Sequence, residues 1–208
     1  MVTLAVLVIG SYLLGSIPFG YLAGRLVGID IRQAGSGNVG ATNVVRVLGK
    51  GYGYPVFALD VLKGFAAAKI SMLMAPGRPQ EWNSPEIFGI LAAISSVLGH
   101  LYPPWLKFKG GKGVATSAGA LLALTPIATL IGVAIWIIVF WLTGYVSLAS
   151  VIAAVVLPIV ILFLSWHQNK PLFYFSACVA AVVVWRHRSN LSRLIRGTES
   201  RFTRKREL

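Results

Sequence analysis

Three stretches of this sequence gather side chains suited to holding phosphate: GSGNVGATNVVR at 35–46, GHLYPPWLKFKGGKGVAT at 99–116 and HRSNLSRLIRGTESR at 187–201. In the first, glycines let backbone amides turn toward an anion. Ser36, Asn38, Thr42 and Asn43 add neutral donors, and Arg46 adds a fixed positive charge. Gly35, Gly37 and Gly40 spell the dinucleotide pattern G-x-G-x-x-G. That fingerprint works only after a strand in a βαβ unit, whereas this stretch follows a long apolar run. Anion binding is the better reading than a plain polar turn, which needs neither two asparagines nor so regular a run of donors.

The centre of the second stretch, Lys109-Gly110-Gly111-Lys112-Gly113, opens an apolar segment. Glycines ahead of a helix N-terminus leave free N–H groups, and the helix dipole adds positive potential. This is phosphate-binding physics without a Walker A motif, because glycine follows Lys112 where Ser or Thr would stand. Lys107 and Lys109 need only reflect membrane sidedness. Lys112, set among glycines, is the candidate ligand, with Thr116 one turn on. In the third stretch His187, Asn190 and Arg193 lie three apart, on one flank of a helix. The outer arginines, Arg201, Arg204 and Arg206, read as anchors to anionic lipid.

His100 is the histidine beside the glycine-lysine loop, either a general base or a hydrogen-bonded structural group. Asp60 and Lys63, three apart in an apolar run, are costly unless paired, and read as a pair supporting the site. His167 is expected on the far side, uninvolved. No metal-ligand spacing, Ser-His-Asp set or Cys-His set is readable, so neither metal nor cofactor is expected. A site rich in cations and neutral donors but poor in bases suits phosphorylated substrates, including one that already carries a good leaving group.

The elements that must position these groups are membrane helices. Of the 208 residues 56% are hydrophobic and 12% charged, and the mean hydropathy is +0.76. A soluble core cannot absorb that much apolar surface. Lys and Arg total 19 against 6 Asp and Glu. In a soluble chain this imbalance would suggest nucleic acid; here it follows topology and anionic lipid, and no nucleic-acid partner is expected. Cys178 lies in an apolar run, reads as packing and has no partner for an internal disulfide.

Apolar segments at 3–24, 54–75, 87–105, 114–124, 127–142, 146–164 and 172–185 give seven helices. The first is read as a membrane helix rather than a cleaved signal, kinked at Pro18. The fourth is short, a half-helix shielded by its neighbours. Cations cluster after the first, third and last helices, which the positive-inside rule puts in the cytoplasm. The N-terminus is then outside, the C-terminus inside, and the outer loops hold only Arg78 and Lys170. Trp105, Trp141, Trp166 and Trp185 form an interfacial belt. Ser11, Gly15, Ser16, Gly20 and Gly24 recur four apart and read as a packing face. A single membrane domain over 1–208 is expected, with 186–208 as its basic cytoplasmic tail.

The three stretches, together with DVLKG at 60–64, resemble the family of bacterial acyl-phosphate:glycerol-3-phosphate acyltransferases, in order and spacing over most of the chain. Ser200 stands where that family often has proline. The resemblance implies an all-α, seven-helix inner-membrane enzyme with its motifs on cytoplasmic loops. It implies transfer of an acyl group from acyl phosphate to the 1-hydroxyl of glycerol 3-phosphate, with no direct use of acyl-CoA or acyl carrier protein. On this reading Ser36, Arg46, Lys112, His187 and Asn190 hold the phosphate of glycerol 3-phosphate. The amides of Gly110, Gly111 and Gly113 receive the acyl phosphate, and its tail lies between helices in contact with lipid. Ser36 and Lys112 are candidate catalytic groups, and deprotonation of the hydroxyl falls to His100 or to a phosphate oxygen of the substrate. The alternative is a transporter of a phosphorylated solute or lipid, which would ordinarily show repeated halves and polar groups at mid-membrane depth. Oligomeric state is not readable from the sequence.

Overall fold

Backbone in an apolar environment must satisfy its own hydrogen bonds, and every regular element among the described residues is helical. The computed structural model describes residues 2–75, 84–165 and 169–202. The helices are α1 (Val2–Gly15), α2 (Phe19–Leu26), α3 (Ala41–Leu48), α4 (Lys50–Leu73) and α5 (Pro85–Leu101). They continue with α6 (Val114–Leu124), α7 (Pro126–Thr143), α8 (Val146–Ser165), α9 (Lys170–Arg186) and α10 (Arg188–Ile195). A 3-10 turn, Pro104–Leu106, follows α5. Arg78, Trp166, His167, Arg204 and Arg206, all weighed above, lie outside the described residues.

Among the described residues four spans have the length and apolarity to cross a membrane: Leu4–Leu26, Pro85–Leu106, Pro126–Thr143 and Val146–Leu164. The helix Val114–Leu124 is apolar but shorter, with the limits read from sequence. With 24 residues α4 is long enough to cross, but it carries Lys50, Asp60, Lys63 and Lys69 along its length.

Local chemistry sets several boundaries. Ser84 accepts a hydrogen bond from the amide of Ile87 with Pro85 in the first turn, and Asn169 caps α9 through the amide of Leu172. The expected kink at Pro18 is instead a break: α1 ends at Gly15 and α2 begins at Phe19. Proline supplies no amide hydrogen and crowds the preceding turn.

The chain divides into two compact units, Met1–Thr125 and Pro126–Leu208. In the first, α4 packs on α5 and α6, and α1 packs on α5. Glycines bring these backbones together. A Cβ on Gly64 would overlap the carbonyl oxygen of Thr116, and one on Gly119 would overlap that of Val61. Gly15 meets the Ser96 backbone in the same way, and Gly20 meets that of Val39, so the small-residue face of the first apolar segment is a packing face. Gly64→Val is expected to force α4 from α6 and to destabilise the protein by about 1–3 kcal/mol, read as a lower thermal unfolding midpoint. In the second unit α8 lies against both α7 and α9, with α10 touching α8 and α9. Trp136 of α7 donates its indole N–H to Ser150 Oγ of α8 at 3.1 Å.

Candidate active site

The first phosphate-type stretch is a loop folded over a small core of its own. Ile31, Val39 and Val44 are buried with Ala23, Val56 and Leu106. Leu106 belongs to the second stretch, so these two stretches share one apolar core within the first unit. Asn43, read from sequence as a donor for substrate, is consumed in shaping the loop. Its Oδ1 accepts from the Ser36 amide at 2.8 Å. Its Nδ2 donates to the carbonyls of Ile31 at 3.2 Å and Ala34 at 3.0 Å. With 1% of its surface exposed and both ends of the amide engaged, Asn43 is a scaffold residue. Gly35, at φ +59°, would drive a Cβ into Asn43 Oδ1, so this position needs glycine twice over. Asn38 Oδ1 accepts from the Gly40 amide at 2.8 Å, an Asx-type turn leading into α3. Ser36 is exposed, while Thr42 and Arg46 are half-buried on α3. At the loop's entry Asp30 is held at about pKa 2, first by the hydrogen bond from the Arg32 guanidinium and then by the Arg32 amide.

The second stretch closes on itself. The amide of Gly111 donates to the His100 carbonyl at 3.1 Å, and that of Gly110 to the Leu101 carbonyl at 3.0 Å. This corrects the expectation that all the Gly110–Gly113 amides face an anion, because two of them tie the loop to the end of α5. The amides that a helix leaves without internal partners are those of its first turn, here the start of α6 after Gly113, whose φ is +84°. Lys112 is half-buried at that point. Thr116 Oγ1 and Ser117 Oγ, in the first turn of α6, are buried with no hydrogen-bond partner among the described residues. Lys107, Phe108 and Lys109 are exposed.

Beneath this loop sits a row of buried polar groups. Lys63 Nζ lies 2.8 Å from Asp60 Oδ1, so the pair read from sequence forms. Asp60 Oδ1 is also 3.6 Å from Nδ1 of His100. Asp60, Lys63 and His100 line one cavity with Ser16, Pro18 and Val39, at the α1–α2 break.

In the second unit His187 ends α9, buried, with Nδ1 2.8 Å from the Val183 carbonyl. Asn190 and Arg193 follow on α10, and both bind Glu199, a carboxylate that the sequence analysis did not single out. Glu199 Oε1 accepts from Asn190 Nδ2 at 2.6 Å and from Ser147 Oγ at 2.8 Å. Its Oε2 accepts from Arg193 Nε at 2.8 Å. The available signal was a lone acid amid basic residues just after a helix. Arg201, read as a lipid anchor, instead donates through Nε to the Thr143 carbonyl at 2.9 Å, and the Phe202 amide donates to the Gly144 carbonyl at 2.9 Å. Arg201 and Phe202 are therefore strapped to the α7–α8 turn.

Burial pushes the Glu199 carboxyl upward, but the hydrogen bonds from Asn190, Ser147 and Arg193 outweigh it and hold the group below its ordinary value near 4.5. A carboxylate depressed in the folded state lends stability that is complete above its unfolded pKa and lost as the pH falls through the folded one. The thermal midpoint is thus expected to drop as the pH is lowered below about 4.5, and to drop less in Glu199→Gln.

Residues 5–197 match the family model for glycerol-3-phosphate acyltransferase. The chain belongs to this family. The match takes in all three phosphate-type stretches except the last residues of the third, and it supports the acyltransferase reading over the transporter one. A family relative from Desulforamulus reducens, a glycerol-3-phosphate acyltransferase, is 43% identical over 205 residues, 98% of each chain. A family relative from Aquifex aeolicus with the same name is 44% identical over 202 residues, covering 94% of this chain and 97% of its own. The family's solved fold is matched as well. PlsY (YgiH), an integral membrane glycerol 3-phosphate acyltransferase, superposes in its glycerol 3-phosphate form with a TM-score of 0.85 at 40% identity, covering 96% of each chain. Its lysophosphatidic acid form gives 0.83 at 40% identity, over 96% of this chain and 95% of that one.

Proposed function

We propose that this chain transfers the acyl group of an acyl phosphate to the 1-hydroxyl of glycerol 3-phosphate, giving 1-acyl-glycerol 3-phosphate and inorganic phosphate. The hydroxyl oxygen attacks the acyl carbon, the bond from that carbon to the phosphate oxygen breaks, and the hydroxyl proton leaves with the phosphate. The observation that carries the reading is the glycine-lysine loop opening α6 beside the 35–46 loop, the two sharing the core around Leu106. Ser36, Arg46, Lys112, His187 and Asn190 hold the phosphate of glycerol 3-phosphate, with Asn38, Thr42 and Arg193 at its margin. Lys112 and the first turn of α6, with Gly113 and Thr116, neutralise the donor phosphate. Asn43, Gly110 and Gly111 shape the loops. An acyl phosphate is already activated, so positioning and charge neutralisation supply much of the rate, and a phosphate oxygen of the substrate takes the proton.

The two units work as one enzyme in a bacterial plasma membrane, with seven crossings, the N-terminus outside and the site on the cytoplasmic side. The strap from Arg201 to Thr143 supports that sidedness, because it sets Arg201 at the same end of the second unit as the α7–α8 turn. Purified protein in detergent, given acyl phosphate and glycerol 3-phosphate, is expected to release phosphate only when both are present, and to leave acyl-CoA unused. Release without glycerol 3-phosphate, or acylation from acyl-CoA, would overturn the assignment.

A further inference from the structure

We propose that the buried row Lys63–Asp60–His100 is a positioning device for the Gly110–Gly113 loop, and that His100 serves the reaction through that loop rather than as a base. The proposal deepens the acyltransferase reading and rests on it. A charged pair within an apolar helix is costly unless each member is held. Lys63 and Asp60 expose only 3% and 2% of their surface. Lys63 Nζ donates to the Ile17 carbonyl at 2.9 Å, at the point where Pro18 breaks the first helix. It also lies 5.4 Å from the Phe19 ring centre. The ammonium therefore occupies the place of a bound cation at a helix break and fixes Asp60 from one side.

Asp60 in turn faces Nδ1 of His100 at 3.6 Å. The opposite ring atom, Nε2, is packed against Gly111: a Cβ built there would overlap it, with Cε1 and Cδ2 next. The same two residues are joined through the backbone, Gly111 amide to His100 carbonyl at 3.1 Å. One ring nitrogen thus faces the carboxylate and the other faces the loop backbone, one residue before Lys112. A base must reach the substrate hydroxyl with a free ring nitrogen. A positioning group needs only to face Asp60 on one side and to hold the Gly111 amide through its carbonyl on the other, and His100 does both. Displacing it moves Lys112 and the start of α6, and misplacement of a site by about 1 Å is enough to cost on the order of 10²-fold in rate.

The test compares substitutions at both ends of the row. His100→Asn keeps an N–H donor where Nδ1 faces Asp60 but cannot take a proton near neutrality. It is expected to hold kcat within about tenfold and to keep the wild-type pH profile, while His100→Leu and Asp60→Asn each lose about 10²-fold. The double variant Asp60→Asn/His100→Leu should be no worse than the poorer single one, since both break the same row. Gly111→Ala should lower activity and the thermal midpoint, and adding His100→Asn should restore part of both by making room. The midpoint arm does not depend on the reaction, so it separates failure of this proposal from failure of the acyltransferase reading. The proposal is overturned if His100→Asn is as inactive as His100→Leu and loses the acid limb of kcat/KM. It is equally overturned if His100→Asn gives Gly111→Ala no relief in the midpoint.

Discussion

Lys112→Ala and Arg46→Ala are each expected to lower kcat/KM by about 10²–10³-fold, the usual loss when one preorganised donor to a developing anion is removed. Both side chains are half-buried where they sit, so water replaces them poorly. Lys112 stands between two glycines at the entry to α6, where the helix dipole and unpaired first-turn amides reinforce its charge. Arg46 is in the last turn of α3, the helix whose Asn43 locks the shape of the loop before it. Arg46→Lys should recover only part of the loss, because an ammonium cannot reproduce the planar fork of a guanidinium on a phosphate. Steady-state kinetics with each substrate varied in turn checks this. A loss below tenfold in either alanine variant would contradict the phosphate assignment.

The second large effect is expected at Glu199. Its two oxygens gather Asn190, Arg193 and Ser147 from α10 and α8. Removing one partner of a buried charged pair costs about 3–5 kcal/mol. The Arg193 side chain keeps 41% of its surface exposed, so Glu199→Ala should fall toward the lower end of that range. Asn190 would lose its bond to Glu199, α10 would lose the tie through Glu199 to α8, and the segment carrying the Arg201–Thr143 strap would lose that support. Glu199→Ala should therefore unfold at a clearly lower temperature and lose activity together with the fold. Glu199→Gln keeps an acceptor for Asn190 and should lie between it and wild type. An alanine variant that melts with wild type and retains turnover would show the hub to be inconsequential.

The residues alone specify some of these features and not others. Apolar length and proline or glycine punctuation delimited α6 and placed α7, α8 and α9 to within a few residues, because bilayer thickness and missing backbone donors act locally. The Pro18 break was read only as a kink, since what stabilises an open turn there is Lys63, 46 positions away. The helix α3 was hidden in a glycine-rich stretch whose Asx turn at Asn38 starts it. Asn43 looked like Asn38 by type, yet one is a scaffold spent on carbonyls 9 and 12 positions away and the other serves a local turn. Donor counting cannot separate them, because what differs is which acceptors the folded chain delivers. Glu199 was passed over for the same reason: its three partners become neighbours only when α8 and α10 pack. The Asp60–Lys63 pair was legible because its spacing is helical and its alternative, an unpaired charge in an apolar helix, is prohibitive. The likeness to a known family supplied what charge and spacing did not, the two substrates of the proposed reaction.

In the proposed reaction, residues from stretches far apart in the chain hold one molecule of glycerol 3-phosphate. Calorimetric titration of glycerol 3-phosphate into purified protein, without acyl donor, tests it. Binding to wild type is expected, with affinity reduced at least tenfold in both Arg46→Ala and His187→Ala while each variant unfolds near the wild-type temperature. Unchanged affinity in either of these folded variants would contradict it.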